Sequence, residues 1–463
     1  MSGIAGIARQ GETELVIKML GKISYRGHGV PHIVERQDIT LGMVANSPDS
    51  IKQSSSFKDS VVWDGPRPPM PLVKQIRLAR GAFSLAAGDQ TGLLLARDTL
   101  GIRPLYYGHT SDGALCFASE VKALLEATRD VYEFPPGSWM ETDHPPHSFN
   151  DLQTESPEDL PEDTMASHLR LLLEQAVLHR IDSPVMGSWL SGGLDSSAIA
   201  ALARPHLDTL HTFSGGLAGA PDLEYARQMA DYLHTEHHEV IVTVVDLLKV
   251  LPEVIYHMES FDALLIRSTL MNYLVAKDAS QFVGSAFSGE GGDELFGGYE
   301  YLKDLLSQKL PDELLDITGR LHNTALQRVD RSASAHGLVI YVPLLDLDVV
   351  DFALRTPADL KIKRNGGLIE KYVFRLAMQG RLPDEILWRP KSKFWEGAGV
   401  EALLEQYAQD SVTDADFSRE RILSNGWRLN TKEELMYYRI FQEHFGQFKD
   451  LTWMGRTKGA PVV

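Results

Sequence analysis

Two textures of apolar patterning divide the chain. Over roughly the first 130 residues, short apolar stretches at 93–97, 104–107 and 115–118 alternate with turns, a spacing that predicts a strand-rich layered domain. Pro, Asp, Glu and Ser then crowd residues 142–164, including Ser156-Pro-Glu-Asp-Leu-Pro-Glu-Asp-Thr164. Such a segment buries little apolar surface and reads as a linker. Beyond it, residues 165–181 carry apolar positions at helical spacing. An apolar strand is predicted at 185–190, then a glycine turn, then a helix over 196–203. Further strands are predicted at 209–213, 239–244 and 282–287, with helices between them. Strand–helix alternation of this kind predicts a doubly wound parallel sheet. From about residue 305 the pattern is mostly helical.

Length and composition narrow the classes. A chain of 463 residues accommodates two or three domains. No apolar run reaches membrane-spanning length and no signal peptide is read at the start, so a membrane role is not expected. The one cysteine, Cys116, cannot form an internal disulfide, which points to a reducing, cytoplasmic setting. Within its apolar strand it reads as a small core residue. The formal net charge of −18 argues against nonspecific nucleic-acid binding. Any nucleotide phosphate must therefore be held locally, by backbone amides, a metal ion and a few cations.

The strongest chemical signal is Ser191-Gly-Gly-Leu-Asp-Ser-Ser197, set between the strand at 185–190 and a helix. Gly192 and Gly193 let backbone approach a polyphosphate, and the helix N-terminus aims free N–H groups at it. Ser191 and Ser196 add hydroxyls. Asp195 is out of place in an anion site unless it holds a cation such as Mg²⁺ bound to phosphates. There is no Gly-x-x-x-x-Gly-Lys-Ser/Thr match, so γ-phosphoryl transfer is not indicated. The bland alternative is a capped glycine turn. A second loop, Ser288-Gly-Glu-Gly-Gly-Asp-Glu-Leu-Phe-Gly-Gly-Tyr299, also follows an apolar strand. A solvated acidic loop is its bland reading. Paired with the first loop, it offers a second metal ligand, Asp293, and an acid/base carboxylate, Glu290.

These two motifs, in this order and spacing, resemble those of glutamine-dependent asparagine synthetases. The likeness extends through Phe213-Ser-Gly-Gly-Leu217, Asp330-Arg-Ser-Ala-Ser-Ala-His-Gly337, Pro343-Leu-Leu-Asp346 and Trp388-Arg-Pro-Lys391. Before the linker it includes Arg97-Asp-Thr-Leu-Gly-Ile-Arg-Pro-Leu-Tyr106 and Phe117-Ala-Ser-Glu-Val-Lys-Ala-Leu124. The resemblance implies an Ntn-hydrolase-like αββα amidotransferase domain over 1–145 and a linker over 146–164. An α/β, doubly wound parallel-sheet ATP-pyrophosphatase (PP-loop) domain with a helical extension then covers 165–450, and a flexible tail 451–463. It also implies a ligase that uses ATP and Mg²⁺ to convert a carboxylate to an acyl-adenylate, which ammonia or an amine then attacks. Leu190, Gly215, Ser288 and Gly289 would line the nucleotide site. Residues 191–196 would hold pyrophosphate, and Asp195 and Asp293 the metal. Glu290 and Lys391 would be catalytic, Lys391 by offsetting negative charge. A homodimer is the family's expectation.

Departures from the family are as informative. Asparagine synthetases begin Met-Cys-Gly-Ile, whereas this chain begins Met1-Ser-Gly-Ile, placing Ser2 at the glutaminase nucleophile position. A serine can serve as an N-terminal nucleophile. However, no Asn-Gly-Glu run is present, the arginine expected near 41–44 is missing, and residues 47–71 are shortened. Arg26-Gly-His-Gly29 replaces the usual Arg-Gly-Pro-Asp. Loss of oriented partners together with the nucleophile predicts a dead glutaminase. On the synthetase side, Leu264 and Leu265 stand where the family has two threonines, ahead of Arg267, the match to its substrate-contacting arginine. Removing hydroxyl donors predicts poor binding of free aspartate. The expected partners are thus another carboxylate, and either ammonia from elsewhere or a substrate amine. An ammonia-dependent asparagine synthetase and a non-catalytic nucleotide-binding scaffold remain as alternatives. His234-Thr-Glu-His-His238 lacks a full ligand set and reads as structural.

Overall fold

Regular alternation of strands and tight turns gives the amino-terminal region two antiparallel sheets. Its strands are β1 (Ser2–Ile7), β2 (His32–Arg36), β3 (Ile39–Ala45), β4 (Ser60–Asp64), β5 (Ser84–Asp89), β6 (Gly92–Arg97), β7 (Tyr106–His109), β8 (Leu115–Ala118), β9 (Tyr132–Glu133), β10 (Ser138–Glu141) and β11 (His147–Ser148). The sheets run β2-β3-β1-β8-β7-β9 and β11-β10-β6-β5-β4. The protein is represented by a computed structural model that describes residues 1–27, 30–36, 38–46, 60–65, 80–89, 92–154, 156–364, 367–390 and 401–457. Strand side chains alternate between faces. Ile4, Leu41, Phe117, Val62, Ala86 and Leu95 therefore fill the space between the sheets. Ala5 and Ile7 turn the other way, into a core shared with Val16, Met19 and Leu20 of the helix Thr13–Lys22.

The carboxy-terminal region is built on five parallel strands: β12 (Val185–Trp189), β13 (Thr209–Leu217), β14 (Glu236–Val242), β15 (Ser285–Phe287) and β16 (Val339–Tyr341). Their order is β14-β13-β12-β15-β16. Sequence runs outward from β12 to β14 on one side, then crosses back to β15 and β16 on the other. The order therefore reverses between β12 and β15, and ligands in open parallel sheets bind at the carboxyl ends of strands at such a point. Register places Gly187 beside Ala286 and Ser188 beside Phe287, so the two glycine loops leave the sheet side by side.

Two boundaries differ from the patterning. Residues 146–164 are not wholly a linker, because β11 pairs with β10 and the helix Glu162–Leu178 has already begun. The described part of the 451–463 tail is not flexible but packed: Leu451, Trp453 and Met454 are buried. The Trp453 ring lies 5.3 Å from that of Phe448 and 6.3 Å from that of Tyr106, and Thr457 N–H donates to Asp262 Oδ2. Glycine, lysine and arginine near the end signalled a solvated tail, whereas one indole supplies enough apolar area to dock it.

Polar contacts also join the two regions. Glu133 on β9 receives Arg97 at 2.9 Å, and its other neighbours are His322 at 2.6 Å and Asn323 at 3.2 Å. Burial alone would raise the Glu133 carboxyl, but His322 and Arg97 outweigh it and hold it down to about 2. A carboxyl depressed on folding contributes stability that is present above its unfolded pKa and lost as pH falls through the folded one. The window is therefore about pH 4.5 down to 2, and the upper bound about 3 kcal/mol. Denaturant titrations across this window should show Glu133→Gln losing less stability on acidification than the parent. Parallel pH profiles for the two proteins would remove Glu133 from the acid response.

Candidate active site

The first loop leaves β12 after Leu190, which is buried and whose N–H donates to the Phe213 carbonyl at 2.8 Å. Gly192 adopts φ +68°, a region that disfavours side chains, and a Cβ there would sit 2.4 Å from that of Tyr225. The turn is held by Ser196 Oγ, which accepts from Ser191 N–H, lies 3.1 Å from Ser191 Oγ and donates to the Gly193 carbonyl. The helix Leu194–Ala203 begins directly after Gly193. Its first-turn N–H groups and the two serine hydroxyls make a ready anion cradle.

The second loop packs onto the first. A Cβ on Gly289 would fall 2.8 Å from Ser196 N, and one on Gly292 would fall 2.5 Å from Asp195 Oδ1. Close backbone approach, not turn conformation, is thus what Gly289 serves. Asp195 and Asp293 converge on one cation: Lys371 Nζ lies 2.6 Å from a carboxylate oxygen of each. Lys371 is almost fully buried and holds a left-handed backbone, φ 55°. Two carboxylates facing one point of positive charge fit Mg²⁺, which takes one or two protein carboxylates and completes its shell with phosphate and water oxygens. Among the described residues no cluster of three or more His, Cys, Asp or Glu offers an all-protein cage.

A cleft opens beside these groups, lined by Ser191, Gly193, Leu194, Asp195 and Ser196 on one wall and by Asp222, Glu370, Lys371, Arg375, Arg389 and Pro390 on the other. Arg389 donates to the Gly192 carbonyl at 3.1 Å and to Asp222 Oδ1 at 2.5 Å, and stacks 3.8 Å from the Tyr225 ring centroid. No site role had been read for Lys371 or Arg389. Arg389 carried one signal, its place in Trp388-Arg-Pro-Lys391, while Lys371 carried none. Lys391 itself lies outside the described residues, as do residues 47–59 and 66–71 of the shortened segment and the pair 28–29.

Glu290 is held by Arg328, whose Nη2 donates to its Oε1 at 2.6 Å while Nη1 donates to Ser268 Oγ at 3.0 Å. Nearby, burial and the adjacent Asp293 push the Glu294 carboxyl up to about 7, and Tyr299 O–H donates to it. Other expected positions stand apart from the cleft lining. Ser288 is buried and donates its N–H to the Tyr341 carbonyl. Gly215 abuts Met271 and Val275, where a Cβ would come within 2.6 Å of each. Helix packing thus explains that glycine. Leu265 faces the core and Leu264 is half-buried. Arg267 Nε lies 2.9 Å from both oxygens of Glu433, which also accepts from Tyr437.

Ser2 is buried on β1, with its N–H donating to Asp64 Oδ1 at 2.8 Å and its carbonyl accepting from Arg26 Nε. Cys116 is fully buried, and burial pushes its thiol up to about 12, which makes it an inert core residue. The ring of His237 lies within hydrogen-bond reach of Thr212 and Ser214 hydroxyls across β13 and β14.

The asparagine synthase family matches residues 168–320 and 307–458, and the glutamine amidotransferase domain family matches 72–126. Glutamine-hydrolysing asparagine synthetase 2 of Arabidopsis thaliana is 35% identical over 391 residues, covering 79% of this chain and 67% of that protein. Asparagine synthetase B of Escherichia coli (strain K12) is 34% identical over 385 residues, covering 79% of this chain and 69% of that one. Among solved structures, the NMN synthetase of Francisella tularensis superposes loosely, with a TM-score of 0.30 at 14% identity over 64% of this chain and 99% of that chain. The asparagine synthase family match and the two curated relatives place the chain in the asparagine synthase family of ATP-dependent carbon–nitrogen ligases, which form AMP and pyrophosphate.

Proposed function

We propose that this protein activates a carboxylate other than free aspartate as an acyl-adenylate and transfers the acyl group to ammonia or a substrate amine, without hydrolysing glutamine itself. In the first step a carboxylate oxygen bonds to the α-phosphorus of ATP and the α–β bridging bond breaks, so pyrophosphate leaves. In the second, the amine nitrogen bonds to the acyl carbon, a proton is lost to a base and AMP leaves. The observation that carries this reading is the meeting of the two glycine loops, with Asp195 and Asp293 sharing Lys371.

Each group has work in that sequence. The serine hydroxyls and amides of 191–196 receive the pyrophosphate oxygens as charge builds on them. Mg²⁺ held by Asp195 and Asp293 would neutralise phosphate charge and ease departure of pyrophosphate. Lys371 brings a second positive charge to the same place. Arg389 ties the loop to Asp222 and so fixes the cradle before substrate arrives. Glu290, with one oxygen on Arg328, keeps the other for the amine's proton.

Two observations favour an acid other than aspartate. Arg267 is occupied by Glu433, so its charge is already compensated. Half-buried Leu264 offers no hydroxyl donor ahead of Arg267, and a site without donors holds a small doubly charged acid weakly. Loss of glutaminase activity is supported by the surroundings of Ser2. Its amide faces the Asp64 carboxylate, an acceptor, and the buried Arg26 guanidinium is committed to Asp64, Glu120 and Asp330. An oxyanion needs donors that are free to turn to it.

Pyrophosphate release from Mg·ATP, assayed with a panel of carboxylic acids and ammonium, should be abolished by Asp195→Asn, and Glu290→Ala should limit it to about one equivalent per protein because aminolysis of the adenylate fails. Ser2→Ala should leave it intact, and a selective loss of glutamine-supported turnover in that variant would refute the dead-glutaminase claim. Gly289→Ala should weaken Mg·ATP binding about tenfold by wedging the loops apart, since overpacking of this kind costs about 1–3 kcal/mol. Calorimetry showing undiminished affinity in a folded Gly289→Ala protein would mean that the loops do not share the nucleotide.

A further inference from the structure

One helix, Ala325–Ser334, touches both the synthetase site and the amino-terminal domain. Toward the site, Arg328 holds Glu290 and Ser268. Two residues on, about 200° around the helix axis, Asp330 points into the other domain. Its carboxylate takes both terminal nitrogens of Arg26, at 2.7 and 3.1 Å, and Nη1 of Arg103 at 3.2 Å. The next residue, Arg331, pairs with Glu120 at 2.6 Å and Glu259 at 3.2 Å. Arg26 continues to Asp64 and Glu120, and Lys122 lies between Glu120 and Glu259.

This cluster contains four cations (Arg26, Arg103, Lys122, Arg331) and four anions (Asp64, Glu120, Glu259, Asp330), so it is formally neutral. Every member is less than a tenth exposed. A buried ionic cluster is a poor source of stability compared with apolar packing, but it tolerates few alternative arrangements, because any slip strands a charge. Bidentate Arg–carboxylate pairing adds direction as well as attraction. The cluster therefore fixes the axial rotation of the helix, and rotation of the helix decides where Arg328 stands.

We infer that the amino-terminal domain acts as a positioning element for the synthetase reaction: through Arg26 and Asp330 it sets the helix Ala325–Ser334, and through Arg328 that helix sets Glu290. This rests on Glu290 being the acid/base carboxylate proposed above, but the positioning itself can be read without any substrate. Arg26, Asp330 and Arg331 are positioning residues, not catalytic ones. The retained domain thus has a use that does not involve glutamine.

Hydrogen–deuterium exchange of the full chain, without nucleotide, tests the inference. Asp330→Asn keeps the shape and removes the charge. It should raise exchange about fivefold or more in 325–334 and in 288–293, while 209–217 stays at the parent rate. Arg26→Lys keeps the charge but loses the two-point hold on Asp330, and should give the same pattern more weakly. It also serves if Asp330→Asn does not fold. Where turnover is measurable, kcat should drop about tenfold with KM for ATP nearly unchanged, the signature of lost transition-state alignment. Exchange at 288–293 equal to the parent in either folded variant, with only a lowered Tm, would reduce the cluster to a domain glue and overturn the inference. If the exchange pattern spreads as expected while the parent releases no pyrophosphate from any acid, the positioning stands and the proposed reaction falls.

Discussion

Strand order does most of the work of assembling this site. In a parallel sheet each loop at the carboxyl end of a strand faces the same edge, and only at the reversal of strand order do two such loops flank a crevice not bridged by their own connections. Here β12 and β15 are neighbours although almost a hundred residues separate them in sequence, a distance of roughly the size of a small domain. Their register sets Ser188 against Phe287, so residues 191–196 and 288–293 emerge together. Gly289 then lets the second backbone lie against the first, and Gly292 leaves room for the Asp195 carboxylate. Everything chemical that follows, the shared lysine above all, depends on that adjacency.

An acidic chain that binds a polyanion must concentrate its positive charge. With a net charge of −18 the chain's overall field opposes a polyanion, and the cations lining the cleft among the described residues are Lys371, Arg375 and Arg389. Lys371 and Arg389 reach the cleft from segments far along the chain, and each is pinned by carboxylates: Asp195 and Asp293 for one, Asp222 for the other. Such pairing keeps a buried charge affordable in the free protein. It also leaves the cradle pre-organised, so that little rearrangement is needed when phosphate oxygens arrive.

The amino-terminal domain joins the synthetase domain through polar as well as apolar contacts. Its sheets retain their pairing and core, with Ile4, Leu41, Phe117 and Leu95 packed as firmly as any in the protein. Around Ser2, Asp64 takes the Ser2 amide and Arg26 spans three carboxylates. These groups form part of a joint between the domains, reinforced by Glu133 with His322 and by Trp453 with Tyr106.

Much of this was legible in the sequence, because it depends on local rules. Alternation of apolar strands with helices predicted the parallel sheet, and Ser191-Gly-Gly-Leu-Asp-Ser-Ser197 announced its own strand–turn–helix setting. Cys116 was rightly placed in a core by its apolar neighbours. Other features required the folded chain. Lys371 sits in no motif, and its role arises only because residues 195, 293 and 371 converge in space. That Gly215 has no room for a side chain is decided by Met271 and Val275, which press on it from a helix. The capture of Arg267 by Glu433 joins residues on separate helices, and the docking of Trp453 overrode a tail of solvated composition. Periodicity and turn chemistry act over a few residues and can be read in line; ion pairs and close packing join distant segments, so only the tertiary structure could decide them.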